Sequence, residues 1–234
     1  MASSSPPPRP SRSPWNVGRF VKTLDFFESI PVVSPLKAMF SGSPTPPPPP
    51  ITNGILFDFS HPRSATGLAA MAQWGALDDV VMGGVSQSGL QAGEDAACFT
   101  GQVSTENSGG FASVRTRNVD PPLNLGTYQG LTLHLRGDGQ RYKIFLRDQT
   151  GWDALAYGLS FDTVPQEWIT VQVPFQALMP VFRARSQPQA KPLDPTSLRS
   201  FQIMLSKFEY DQVLNPHFTP GPFCLEVKTI AAYR

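Results

Sequence analysis

The sequence predicts an all-β protein, an antiparallel β-sandwich or jelly roll, behind a proline-rich segment with a short amphipathic helix. Three observations carry the sandwich. First, apolar and polar residues alternate from residue 51 onward. Leu131, Leu133 and Leu135 alternate with Thr132, His134 and Arg136, and the same rhythm returns at Ile169, Val171, Val173 and Phe175, at Phe201, Ile203 and Leu205, and at Phe223, Leu225 and Val227. Successive side chains of a strand point to opposite faces, so period two marks a strand with one buried face. Second, the runs are short and bounded by Gly, Pro, Asn and Asp. Further runs at 55–59, 96–103, 110–117 and 141–147 bring the expectation to at least eight strands. Third, no sequence repeat of fixed period is present, which argues against a propeller or solenoid. A chain of 234 residues suits one such domain plus an appendage.

Proline marks the boundary. Thirteen of the 25 prolines fall in residues 1–50, so this segment cannot build a core. Residues 1–14 are predicted to be disordered and residues 41–50, SGSPTPPPPP, to form a stiff polyproline spacer. Between them Val17, Phe20, Val21, Leu24 and Phe27 recur at helical spacing, predicting a helix over about 16–30 that Pro31 ends. Residues 51–234 form the sandwich domain. Three roles for the helix stay open: docking back on the domain, binding a partner groove, or lying on a membrane surface, since residues 1–50 carry five basic and two acidic side chains. Residues 1 to about 24 lack any acid and are rich in Ser, Pro and Arg, which is also the composition of an organellar transit segment.

The 19 basic and 18 acidic residues leave no basic footprint, so nucleic acid is not an expected partner. Cys98 and Cys224 lie in apolar, strand-like runs and read as buried free thiols rather than a disulfide. An intracellular, reducing compartment is the corresponding expectation, cytoplasmic or stromal and peripheral to an internal membrane. No stretch reaches the ~18 consecutive apolar residues of a membrane span.

The stretch WGALDDVVMGGVSQSG, residues 74–89, raises the question of chemistry. Gly84-Val85-Ser86-Gln87-Ser88 fails the G-x-S-x-G elbow at its last position, and no strand-to-helix context follows. His61, His134 and His217 form no ligand spacing, so no metal is expected, and no cofactor either. Asp78 and Asp79, if in a strand, point to opposite faces; in a turn, one accepts backbone N–H bonds and holds a corner. Gly83-Gly84 supplies a positive-φ turn or a close approach of another segment. Asn107-Ser108-Gly109-Gly110 and Arg136-Gly137-Asp138-Gly139 read as hairpin turns. Arg115, Arg117, Arg136, Lys143 and Arg147 sit on predicted strands, and a shared face would be a basic surface for sugars, anions or a protein. Together with Asp78 and Asp79, whose corner helps to shape it, they form the candidate binding face. Trp74, Trp152 and Trp168 read as core or rim packing.

Beyond these physical readings, Trp74 with Asp78-Asp79-Val80-Val81-Met82-Gly83-Gly84-Val85-Ser86 resembles the signature of the complex I intermediate-associated protein 30 family. Further blocks agree in order and spacing: Phe99-Thr100-Gly101-Gln102-Val103-Ser104, then Glu106 to Gly110 with Phe111-Ala112-Ser113-Val114-Arg115, then Leu135-Arg136-Gly137-Asp138-Gly139, Trp168 ahead of Val173-Pro174-Phe175, and Phe223-Cys224-Leu225-Glu226-Val227. The resemblance spans about residues 55–232. Trp74, Gly83, Gly84, Gly110, Phe111 and Trp168 are its structural residues. The family pattern leads one to expect a glycine after Arg183, where Ala184 stands. The resemblance implies a galactose-binding-like sandwich and a non-enzymatic assembly factor or chaperone for a complex I-type or thylakoid membrane complex. Its implied partners are protein subunits of that complex during assembly, with peripheral membrane contact through the helix. It carries no catalytic residue. A carbohydrate- or small-ligand-binding module is the alternative role.

Overall fold

The computed structural model describes residues 18–20, 23, 51, 53–151 and 154–234. The segment 1–14, the spacer 41–50, most of the expected helix and Trp152 lie outside the described residues. Residues 18–20 and 23 are helical, and Thr23 is buried.

The strands are β1 (Ile55–Asp58), β2 (Trp74–Ala76), β3 (Gln87–Ala92), β4 (Ala97–Val103), β5 (Phe111–Thr116), β6 (Gly130–Arg136), β7 (Arg141–Arg147), β8 (Ala156–Asp162), β9 (Trp168–Pro174), β10 (Met179–Phe182), β11 (Arg185–Ser186), β12 (Ser200–Ser206) and β13 (Gly221–Tyr233). They form two antiparallel sheets. The six-stranded sheet runs β3-β4-β13-β6-β9, with β1 also pairing β13, and the seven-stranded sheet runs β11-β10-β8-β7-β12-β5-β2. This is the sandwich that the alternation predicts. Between the sheets lie Phe99, Leu133, Leu225, Tyr142, Ile144 and Phe201, all essentially inaccessible, so the period-two residues form one continuous core.

The long β13 serves both β4 and β6 as neighbour. Its register slips between Val227 and Thr229, a bulge at Lys228. The extra residue shifts the alternation, so Phe223, Leu225 and Val227 point inward and the next inward residue is Ile230. One short helix, α1 (Ala65–Met71), packs against β1 and β3, capped by Ser64, whose hydroxyl accepts the Gly67 N–H at 3.1 Å. At seven residues it is too short to show a helical period.

Two expectations need correction. Neither Asn107–Gly110 nor Arg136–Gly139 closes a hairpin: β4 and β6 belong to the six-stranded sheet and β5 and β7 to the seven-stranded one. Both corners carry the chain from sheet to sheet, which local turn residues cannot distinguish from a hairpin. Cys98 and Cys224 are not buried thiols but a half-buried disulfide across β4 and β13, with Cα atoms 6.3 Å apart. Their neighbours Ala97, Phe99, Phe223 and Leu225 take the inward phase, which turns both sulfurs outward.

Candidate functional site

The signature stretch forms a corner between the sheets. Asp79 opens a 3-10 turn, Asp79–Met82, closed by Gly83 in the left-handed region at φ 87°. Its carboxyl is buried and surrounded by donors. Oδ1 accepts the Ser86 N–H at 2.9 Å; Oδ2 accepts the Ser86 hydroxyl at 2.7 Å, the Gly110 N–H at 2.7 Å and the Phe111 N–H at 3.3 Å. A Cβ on Gly84 would sit 2.3 Å from this carboxyl, and one on Gly109 would sit 2.4 Å from it. Both glycines are therefore set by close approach to Asp79.

Asp78 does the same one step away. It accepts the Ser88 N–H at 2.9 Å, the Ser88 hydroxyl at 2.5 Å and the Ser113 N–H at 3.1 Å. Ser88 lies on β3 and Ser113 on β5, so the carboxyl ties one sheet to the other. Arg19, from the N-terminal segment, reaches the same carboxyl at 3.0 Å and the Ser86 carbonyl at 2.8 Å. At Arg19 the segment is docked back on the domain. Burial raises the Asp78 pKa to about 6 against the hydrogen bonds from Ser88 and Ser113 and the Arg19 charge. The two aspartates thus act as structural acceptors and do not face a common substrate. Ser86 donates its hydroxyl to Asp79, and among the described residues no histidine bonds to it.

The candidate binding face resolves differently from its expectation. On β7, Tyr142, Ile144 and Leu146 point into the core, leaving Arg141, Lys143, Phe145 and Arg147 on the outer face. Gln202 of β12 stands opposite Arg115 of β5 on one side and Phe145 on the other, and Ser200 stands opposite Arg147. Arg115, Lys143 and Arg147 therefore share the outer face of the seven-stranded sheet. Arg117 follows one residue beyond β5, its N–H donating to the Gln73 carbonyl at 2.8 Å. Arg136 is not on this face: it belongs to β6 and pairs with Glu226 at 2.5 Å on the other sheet. Asp78 and Asp79 are not on it either, since both are buried in the corner. Strand periodicity orders residues within a strand but leaves open which sheet the strand joins.

The face is unevenly neutralised. At one end Arg141 pairs with Asp162 at 2.7 Å and with Glu209 at 3.0 Å. Lys143 donates to the Phe208 carbonyl, stands 3.9 Å from Glu209 and lies over the Tyr210 ring; burial lowers its pKa to about 8. At the other end burial lowers Arg115 to about 10. It lowers Arg147 to about 9, with the neighbouring Arg115 charge adding to the effect. Arg147 donates Nη1–H to Gln202 Oε1 at 2.9 Å, and Gln202 Nε2 donates to the Ser113 hydroxyl at 2.9 Å. Sequence reasoning missed Gln202, Ser200 and Glu209. The first two occupy the outward phase of β12 beside the apolar residues that drew attention.

Trp74 is core, edge-on to Phe57 with centroids 5.1 Å apart. Trp168 is half-exposed on the outer face of the six-stranded sheet, stacked on His134 at 5.1 Å with Arg136 and Lys228 over its ring. Phe111, at the start of β5, is half-buried. Among the described residues no three of His, Cys, Asp and Glu gather to hold a metal ion, and no helix is long and apolar enough to cross a membrane.

These features define an antiparallel β-sandwich whose acidic signature is a structural staple and whose polar chemistry lies on an outer sheet face. The model of the Complex I intermediate-associated protein 30 family matches residues 57–227, and the chain belongs to this family. No curated protein matches its sequence. Among solved structures it is similar to a family 11 carbohydrate-binding module from Clostridium thermocellum in complex with a mixed-linked tetrasaccharide, at 13% identity and TM-score 0.47, covering 69% of this chain and 88% of that one. The family 11 module of the cellulosomal cellulase Lic26A-Cel5E from the same organism gives 12% identity and TM-score 0.48, covering 79% and 96%. An agarase gives 10% identity and TM-score 0.48, covering 77% of this chain and 26% of its own.

Proposed function

We propose that this chain is a non-enzymatic assembly factor that binds protein subunits of a complex I-type or thylakoid membrane complex before they are incorporated. The observation that carries the reading is the family match over residues 57–227, which includes the whole two-aspartate corner. The corner supports it physically. A hydrogen-bonded staple between the sheets makes a rigid platform, and a rigid platform presents loops and sheet faces to a partner at low entropic cost. In this reading the N-terminal segment, which reaches Asp78 through Arg19, adds membrane or partner contact.

Affinity purification from gently solubilised native membranes tests this, with mass spectrometry of the co-eluting proteins. Subunits of one complex, recovered mainly as sub-assemblies, are the expected result. Their absence, with the protein in the soluble fraction, would overturn the reading. Removing residues 1–50 is expected to weaken membrane or partner association while leaving the sandwich folded; an unchanged distribution would remove the segment from the proposal.

A further inference from the structure

We propose that Arg147, Gln202 and Ser200, on the outer face of the seven-stranded sheet, form a binding site for one oxyanion group, a carboxylate or a phosphate, of a small ligand. The site rests on side-chain geometry and not on the assembly reading.

Among the described residues, the Arg147 guanidinium makes one hydrogen bond, from Nη1 to Gln202 Oε1. Its Nε is buried with no partner. The Nε–Nη2 edge therefore carries no hydrogen bond among the described residues. That edge presents two parallel N–H groups, the fork that matches two oxygens of a carboxylate or phosphate. Ser200, opposite Arg147 in the strand register, carries a buried hydroxyl that also lacks a partner. Buried donors without acceptors are rare in folded proteins. An oxyanion at this edge would supply the acceptor for the Arg147 fork, with Ser200 as its neighbour across the strands.

The site is braced. Gln202 cannot turn its amide without losing two bonds, because Nε2 donates to the Ser113 hydroxyl while Oε1 receives Arg147. The Ser113 hydroxyl donates to the Leu77 carbonyl, and the Ser113 N–H donates to Asp78. The signature corner thus holds the rotamer that aims Arg147. Preorganisation of this kind is what distinguishes a binding group from a loose surface cation.

Charge points the same way. Arg141 and Lys143, on the same face of β7, have Glu209 and Asp162 beside them, whereas Arg147 has Gln202, a neutral acceptor. Asp148, the next residue, takes the Asp194 N–H at 3.1 Å and forms no ion pair with Arg147 among the described residues. A buried cation without a carboxylate partner is costly, and a bound anion relieves the cost. Arg147 as a residue is partly exposed, whereas its Nε and the Ser200 hydroxyl are covered, so a ligand engages them once the side chains over them shift. Burial and the Arg115 charge both disfavour its protonated form, and a bound anion would favour it.

Thermal melting of the full chain tests the site. Inorganic phosphate, acetate and D-glucuronate are titrated separately, with chloride keeping the ionic strength constant. A saturable rise in Tm with at least one of them is expected. The apparent affinity should fall about tenfold or more in Arg147→Met and weaken in Ser200→Ala, while Lys191→Met, at an exposed lysine elsewhere, should respond like wild type. A response to phosphate alone assigns a phosphate group; a response to acetate and glucuronate assigns a carboxylate. No saturable response to any of the three, or an equal response in Arg147→Met, overturns the proposal. Should Arg147→Met fail to fold, Ser200→Ala decides, since it deletes one hydroxyl and no packing volume; an unchanged affinity there overturns the site. Co-purification of complex subunits without an oxyanion response would defeat this inference alone, and the reverse result would defeat the assembly reading alone.

Discussion

Replacing Asp79 by alanine isolates the staple between the sheets. The carboxyl receives the N–H groups of Ser86, Gly110 and Phe111 and the Ser86 hydroxyl. Ser86 and Gly110 are buried, so their donors have no water waiting for them. Each buried donor left unmade costs ~1–3 kcal/mol, so the Ser86 and Gly110 N–H groups together cost roughly 2–6 kcal/mol, while the Ser86 hydroxyl, a third donor, still has the Ser104 carbonyl within reach. Phe111 is half-buried, and its longer bond adds little. Water entering the emptied site recovers part of the loss, which places the expected cost at about 4 kcal/mol, comparable to breaking other buried polar networks. For a domain of this size ~1 kcal/mol moves Tm by ~2–4 °C, so the variant should melt about 10 °C lower. Asp79→Asn keeps one acceptor oxygen but turns an N–H₂ toward donors, and should fall between the two. The assay is thermal and urea unfolding of the purified variants beside wild type. An Asp79→Ala protein melting within about 2 °C of wild type yet failing to bind its partner would refute the reasoning and make Asp79 a contact residue.

Three further outcomes follow from single observations. The Asp78 pKa is raised from 3.8 to about 6 in the folded protein, so the folded state holds an extra proton between those values. Its contribution to stability is greatest below about pH 4 and is lost as pH rises through 6; over that interval it amounts to ~3 kcal/mol at ~1.36 kcal/mol per unit. Asp78→Asn should flatten this part of the stability profile in urea titrations at stepped pH, and an unchanged slope would show that another group carries it. Ala184 stands at φ 60°, where a side chain costs ~1–2 kcal/mol and a glycine does not; after the entropy that glycine loses on folding, Ala184→Gly should gain about 0.5–1 kcal/mol. A lower Tm for this variant would show that the alanine methyl packs usefully. Trp74→Ala should cost about 3–5 kcal/mol, because the ring is buried edge-on between Phe57 and Phe59; Phe111→Ala, half-exposed, should cost clearly less in the same denaturant series, and equal losses would contradict that ordering.

The strands were legible because a sandwich strand buries one face, and that demand writes period two directly into Leu131-Leu133-Leu135 or Phe201-Ile203-Leu205. The corner was legible as a corner because a pair of aspartates shortly ahead of Gly83-Gly84 has few roles other than a turn. Its depth was not. Nothing local to Asp79 announces Gly110, which lies 31 residues on and donates to it. Gly109 reads as a turn glycine until the Asp79 carboxyl is found against it. The short helix α1 escaped notice because two turns of Ala, Gly and Leu carry too little periodicity to be told from a loop.

By itself the sequence determined which segments form strands, which side chains can enter a core, and where the proline-rich segment ends, since each follows from backbone sterics and local alternation. Tertiary structure alone decided which strands share a sheet. That choice depends on packing between residues far apart in the chain, and it moved Arg136 to the opposite sheet from Arg115, Lys143 and Arg147. It also turned two expected hairpins into crossovers and brought Cys98 to Cys224 across 126 residues. The Arg147–Gln202–Ser200 site is the strongest instance. Its members come from strands more than 50 residues apart, and only the register of β12 against β7 makes one binding edge of them.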